Sequence, residues 1–106
     1  MKYIRTKEHG IGEITHEDKY IISYENSSFS VCLWKDNVEY QTADTIEELC
    51  DEFVIVGTNW QQIIDLEDAK YNCDKHDNLK IYGAIWTDKG LIFVAIMNDK
   101  GEMKLI

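Results

Sequence analysis

The segment from Asp44 to Phe53 constrains the fold more than any other part of the sequence. Its apolar residues fall at positions i, i+3, i+4 and i+7, and they are Ile46, Leu49, Cys50 and Phe53. That spacing places them in one stripe along a helix. Asp44 stands where an N-cap belongs, and Glu47 three residues later can complete a capping box. The segment is therefore predicted to be an amphipathic helix with an apolar underside and an acidic upper face.

Short stretches of alternating apolar and polar residues on both sides of this segment predict β-strands. Before the helix they lie at 2–6, 13–14, 19–25, 29–34 and 38–42, separated by turn-forming residues. After it, residues 53–56 are apolar and β-branched, as in a buried strand. Residues 80–87, 91–97 and 102–106 predict a three-stranded meander. Gly90 and Gly101 each follow Asp-Lys, at turn positions that require a left-handed residue.

We therefore expect an α+β fold. It consists of a strongly bent antiparallel sheet or small barrel, with the 44–53 helix packed across it and the meander at its C-terminal end. The 106 residues are expected to form a single domain. Within it, 57–79 fits no clear pattern and is interpreted as a variable, insertion-like segment with partial helix. The expected core comprises Ile4, Ile22, Val31, Leu33, Ile46, Leu49, Phe53, Ile55, Ile85, Ile92 and Val94.

The net charge of −9 is concentrated in one part of the sequence. Residues 36–77 contain twelve Asp and Glu against two Lys, which gives −10, and the two flanks together carry +1. Direct binding of nucleic acid requires a basic surface, so this balance argues against it.

Several features indicate a cytoplasmic protein without a membrane segment. No apolar run approaches the ~20 residues that a membrane span requires, and the first residues lack the apolar core of a signal peptide. The three cysteines (Cys32, Cys50 and Cys73) are irregularly spaced, which fits reduced thiols better than a disulfide framework.

The sequence carries no motif that predicts catalysis, and we expect a protein that is not an enzyme and has no cofactor. Cys73 and His76 form a Cys-x-x-His half-site, but no second ligand pair stands at a zinc-binding spacing, so no metal is expected. Asp74 and Asp77 would raise the pKa of the Cys73 thiol, which disfavours a nucleophilic role. The Gly10-Ile11-Gly12 sequence lacks the third glycine and the following helix of a phosphate-binding loop.

The acidic middle segment has two interpretations. Carboxylates of one sign commonly form a solvated face that keeps a small protein soluble. Alternatively, carboxylates at phosphate-like spacing could occupy a basic groove of a partner protein. Trp34 and Trp86 are expected to be half-buried in the sheet, whereas Trp60 is either a core residue or an exposed binding aromatic. The candidate partner-binding residues are Asp44, Glu47, Glu48, Asp51, Glu52, Trp60, Asp65, Glu67 and Asp68.

Three stretches of the sequence carry a resemblance. They are Met-Lys-Tyr-Ile-Arg-Thr-Lys at 1–7, Ala-Asp-Thr-Ile-Glu-Glu-Leu-Cys-Asp-Glu-Phe-Val at 43–54 and Tyr-Gly-Ala-Ile-Trp-Thr-Asp-Lys-Gly-Leu-Ile-Phe-Val-Ala at 82–95. These stretches comprise 33 of the 106 residues, and the likeness as a whole extends over about half of the chain. The chain resembles a family of small proteins encoded by phages and prophages of low-GC Gram-positive bacteria. The resemblance brings no catalytic residue. It implies a phage accessory protein expressed in a bacterial cytoplasm.

The first functional hypothesis is a non-enzymatic inhibitor of a host defence enzyme, similar to an anti-CRISPR protein. Its partner would be a host protein with a basic nucleic-acid-binding surface. The second hypothesis is a homo-oligomeric sponge that sequesters a nucleotide immune signal, and the third is an accessory domain with another partner. The sequence leaves the oligomeric state open.

Overall fold

The computed structural model describes residues 2–72 and 79–106, and it corrects the predicted fold class. The structure is mostly β, with 55% of the described residues in strands and 13% in helices, and its strands form two antiparallel sheets. No closed barrel occurs among the residues that the structure describes. The expected α+β arrangement around one bent sheet is therefore wrong, although the C-terminal meander is retained.

The described residues contain ten strands, one α-helix and two 3₁₀ turns. The strands are β1 (Tyr3–Thr6), β2 (Gly10–Glu17), β3 (Ile21–Glu25), β4 (Ser30–Trp34), β5 (Tyr40–Ala43), β6 (Glu52–Val56), β7 (Gln61–Ile64), β8 (Lys80–Thr87), β9 (Gly90–Met97) and β10 (Met103–Leu105). The helix α1 spans Leu66–Asn72, and the 3₁₀ turns lie at Lys35–Asn37 and Glu47–Leu49.

Two compact units divide the chain after Leu49. The first contains the chain up to Leu49 together with Leu105, and the second contains Cys50–Lys104 together with Ile106. The expectation of one domain over 1–106 stays a prediction.

The first unit is built on the sheet with strand order β4-β3-β2-β1-β5, in which all pairs are antiparallel. Its core residues Ile4, Ile22 and Tyr24 have no exposed surface. The Tyr24 hydroxyl and Thr6 Oγ1 share a hydrogen bond of 3.0 Å inside this core. Burial raises the pKa of Tyr24, so the phenol stays protonated and the core polar pair stays satisfied.

The second unit is built on the sheet with strand order β10-β9-β8-β6-β7. Phe53, Ile55, Ile81 and Ile85 are buried on it, and α1 packs on β6 with Ala69 fully buried. The partial helix expected within 57–79 is thus found as α1, and the strand β7 precedes it in the same segment. Residues 73–78 lie outside the described residues.

The segment 44–53 is not a helix, contrary to the sequence prediction. Glu47–Leu49 forms a single 3₁₀ turn, and β6 begins at Glu52. A helix would set Asp44, Glu48 and Glu52 at i, i+4 spacing, where like charges repel, and it would be too short to be stable alone. Only the last two residues of the segment enter β6, where Glu52 pairs with β8 and Phe53 pairs with both β7 and β8.

The apolar spacing that predicted the helix is satisfied by the 3₁₀ turn. Ile46 and Leu49 are both buried at 3% exposure, and their i, i+3 spacing also places two side chains on one side of a 3₁₀ turn. The predicted capping box is displaced by one residue. The backbone N and the Oγ1 of Thr45 donate to Glu48 Oε2 at 3.2 and 3.0 Å, in place of the predicted Asp44 and Glu47.

The C-terminal turns follow the sequence prediction. Gly90 and Gly101 have φ angles of 103° and 79°, the left-handed region that their turn positions required. They connect β8 to β9 and β9 to β10, which are neighbours in the sheet.

Most of the expected core is confirmed, and the exceptions lie on β4 and β9. Val31, Leu33 and Val94 are only partly buried, and Ile92 keeps 42% of its surface exposed. Val31 and Leu33 lie on β4, an edge strand with a neighbour on one side only, so fewer side chains cover them.

Candidate binding surfaces

The first group of predicted site residues lies in the first unit, around the 3₁₀ turn. Asp44 and Glu48 are exposed, and Glu47 is half-buried. The Glu48 carboxylate accepts the two hydrogen bonds from Thr45 that close this turn. Glu48 therefore has a local structural role in addition to its charge, whereas Asp44 and Glu47 present carboxylates without such a role in the described hydrogen bonds.

An open cleft of about 510 Å³ lies beside this turn. Lys2 contributes one positive charge to its lining, and Asp44 and Glu48 contribute two negative charges. Since the carboxylates outnumber the ammonium group, the cleft does not favour an anionic ligand such as a nucleotide.

Asp51 and Glu52 belong to the second unit, and both contact Trp86. The backbone N of Trp86 donates to Asp51 Oδ2 at 2.8 Å, and its indole Nε1 donates to Glu52 Oε1 at 3.5 Å. The Asp51 backbone N also donates to the Ala84 carbonyl at 2.8 Å. Together, the two bonds of Asp51 to residues of β8 fix the start of β6 against the end of β8.

The segment from Trp60 to Asp68 places an exposed aromatic and three exposed acids in the second unit. Trp60 retains 51% exposure, so it is not a core residue, and its role in binding stays a prediction. Its indole lies against Gly57, where a Cβ would stand 2.6 Å from Trp60 Nε1. Asp65 Oδ1 accepts a hydrogen bond of 2.8 Å from the backbone N of Asp68 and so caps α1. Glu67 and Asp68 extend their carboxylates into solvent.

Seven of the eight predicted site acids lack basic partners among the described residues. In the described ranges, no ion pair involves any of Asp44, Glu47, Glu48, Glu52, Asp65, Glu67 and Asp68. Glu17 shows the contrast, because Lys35 Nζ lies 2.8 Å from its Oε2 and that hydrogen bond lowers the pKa of Glu17. These seven acids therefore carry charge that is open to an external cation.

The structure does not bring the nine predicted site residues onto one helical face. Asp44, Glu47 and Glu48 belong to the first unit, and the other six belong to the second. The acidic upper face of a 44–53 helix is thus replaced by separate acidic groups on different elements.

An exposed aromatic face on the second sheet was missed by the sequence interpretation. Tyr82 and Phe93 stack there with ring centroids 4.7 Å apart and an interplanar angle of 13°. Trp86 and Phe93 keep 54% and 39% of their surfaces exposed, so the expectation that Trp86 is half-buried underestimates its exposure. Trp34, on β4 of the first unit, is also more exposed than expected, at 63%. The alternation of Tyr82, Ala84 and Trp86 was the signal that could have revealed the face.

The described residues contain no cluster of three or more His, Cys, Asp or Glu that could hold a metal ion. Cys73 and His76, the half-site of the sequence analysis, lie outside them. Within residues 2–72 and 79–106, no helix is both long and apolar enough to cross a membrane.

No protein-family model, curated protein or solved structure matches the chain.

Proposed function

We propose that the chain is a non-enzymatic phage or prophage accessory protein that acts in the bacterial cytoplasm. It inhibits a host defence enzyme, in the manner of an anti-CRISPR protein, by binding the basic surface that the enzyme uses for nucleic acid. The observation that supports this proposal is a set of carboxylates without basic partners, at the exposed Asp44, Glu67 and Asp68 and at the half-buried Glu47.

Unpaired surface carboxylates suit such a partner for a physical reason. A basic groove built for phosphates attracts them over the Debye length of ~8–10 Å at physiological ionic strength, which accelerates encounter. The exposed indole of Trp60 adds an apolar contact of the kind that dominates interface energies, and its ring face can accept an Arg or Lys.

The test is a variant that removes two of the proposed carboxylates from each unit and leaves the caps intact. It carries Asp44→Asn, Glu47→Gln, Glu67→Gln and Asp68→Asn, and it keeps Glu48 and Asp65, whose carboxylates close local turns. The matched control carries Glu25→Gln, Glu39→Gln, Asp88→Asn and Asp99→Asn, which are also exposed. Both variants change the net charge by the same amount.

The measurement is the plating of a phage on cells whose CRISPR system targets that phage. The parent chain and the control variant are expected to restore plating by at least about 100-fold, while the test variant restores little. Equal restoration by both variants would show that these carboxylates do not contact the enzyme. A nucleotide that co-purifies with the chain, without a bound protein, would instead support the sponge.

A further inference from the structure

One face of the second sheet carries apolar and charged side chains in an arrangement that suits contact with the same face of a second copy. Register partners on neighbouring strands lie on the same face of a sheet. Val54 pairs with Tyr82 and with Ile63, and Ala84 pairs with Phe93. Because Tyr82 and Ala84 are two residues apart on β8, all five side chains lie on one face. The 4.7 Å stacking of Tyr82 on Phe93 agrees with that assignment. We call this surface, together with Glu52, Lys80 and Trp86, the aromatic face.

The large side chains of the aromatic face remain exposed, although Val54 and Ala84 on the same face are buried. Ile63, Trp86 and Phe93 keep 53%, 54% and 39% of their surfaces accessible. Neighbouring aromatic and branched side chains of this exposure form the kind of contiguous apolar patch that marks an interaction surface.

The charge on the aromatic face differs from that of the whole chain. The chain carries −9, yet on strands β6 to β9 this face holds only two charged residues, Glu52 and Lys80, which cancel. Neither of them forms an ion pair within the described ranges. A second copy of the chain carries the same acidic charge outside this face. Because the aromatic face itself is neutral, contact between two such faces adds no repulsion of its own.

The positions of the two opposite charges allow reciprocal ion pairs about a two-fold axis. Glu52 pairs with Ala84 across β6 and β8, and Lys80 lies four residues before Ala84 on β8. The two side chains are therefore about 13 Å apart along the strand direction, at ~3.3 Å per residue. A two-fold axis that lies in the interface and crosses the strands between them places Glu52 of one copy opposite Lys80 of the other, and the reverse pair follows by symmetry.

We propose that the aromatic face binds the same face of a second copy of this chain, forming a two-fold symmetric dimer with reciprocal Glu52–Lys80 ion pairs. The surface is independent of the carboxylates proposed to bind a defence enzyme. Four strands about 4.8 Å apart and four to eight residues long give a footprint on the order of 400 Å². Stable interfaces bury about 800 Å² per partner, so the dimer is weak and depends on concentration, with a Kd in the micromolar range.

Charge reversal tests the geometry. Sedimentation analysis of the full chain should show a mean mass that rises from 12.4 kDa toward twice that value as concentration increases. Glu52→Lys alone or Lys80→Glu alone turns both reciprocal pairs into like-charge contacts, and each should raise the Kd about 10-fold. The double variant Glu52→Lys/Lys80→Glu restores opposite charges and should return the Kd to within about threefold of the parent.

Matched controls separate the reciprocal contact from a change in total charge. Asp99→Lys and Lys100→Glu make the same charge changes at exposed positions in the turn between β9 and β10, and both should leave the Kd within about threefold. A parent chain that remains monomeric up to about millimolar concentration overturns the proposal. So does a double variant that stays as weak as the single variants while its circular dichroism matches the parent.

Discussion

At the scale of single residues, short polar side chains define where strands end. Asp18 Oδ1 accepts from the backbone N of Tyr20 and Ile21 at 2.8 and 2.9 Å, and these bonds lower the pKa of the Asp18 carboxyl. Asn98 Oδ1 accepts from Lys100 and Glu102 in the same manner before β10. Such bonds involve only near neighbours in sequence, which is why turn positions could be predicted from the residue types alone.

Two glycines provide a matched pair for a prediction at this scale. A Cβ at Gly12 would stand 2.6 Å from Tyr24 Cδ2 and 3.0 Å from the Glu25 carbonyl oxygen, and Tyr24 has no exposed surface into which it could move. A Cβ at Gly57 meets the indole of Trp60 at 2.6 Å, but that side chain is half-exposed and can rotate away. Gly12→Ala should therefore lower the free energy of unfolding by about 1–3 kcal/mol, and Gly57→Ala by less.

Urea denaturation of the two variants measures this difference. Trp60 fluorescence should change in Gly57→Ala, because its indole leaves the backbone of residue 57. Equal losses in the two variants would show that the space around Tyr24 adapts as readily as the surface around Trp60.

At the scale of elements, the alternating segments predicted strands correctly, and the amphipathic segment predicted the wrong element. Alternation with period two has a single structural interpretation, so β3, β4 and β9 were found close to their true bounds. An i, i+3 apolar pair fits one 3₁₀ turn as well as a helix, so Ile46 and Leu49 could identify a buried side but not the backbone conformation. The competing strand hydrogen bonds of β6 come from β8, about thirty residues later, and local periodicity does not contain them.

The 3₁₀ turn gives a prediction that distinguishes it from the expected capping box. Glu48→Ala removes the acceptor of both Thr45 hydrogen bonds and should destabilise the chain by about 0.5–1.5 kcal/mol. Glu47→Ala removes the same charge from the adjacent position without removing a described hydrogen bond, and it should change stability by less than about 0.5 kcal/mol. Thermal denaturation of both variants makes the comparison, and a larger loss in Glu47→Ala would instead support the capping box at Asp44.

At the scale of the whole molecule, the sequence predicted the composition of the surfaces better than their positions. The unpaired acids were identified by counting charges, because twelve acids against two lysines in 36–77 leave too few partners. Their distribution over two units was not predicted, since it depends on the chain starting a new sheet at β6. The aromatic face was missed for the same reason. Tyr82 and Phe93 are eleven residues apart and come together only through the register of β8 with β9, which includes a bulge between Gly83 and Ala84.

The two proposed interactions should respond to salt in opposite directions, because the net charge of −9 acts differently on them. Two copies of the chain repel each other, and the Debye length falls from ~30 Å at 0.01 M salt to ~8 Å at 0.15 M. Added salt should therefore strengthen the dimer over this range, since the apolar contact is not screened while most of the repulsion is. Binding to a basic enzyme is an attraction between opposite charges, so the same salt should slow association while dissociation changes less. Sedimentation at several salt concentrations measures the first effect, and association rates with the purified enzyme measure the second. A dimer that weakens with salt would mean that the Glu52–Lys80 pairs, and not the apolar side chains between them, dominate the contact.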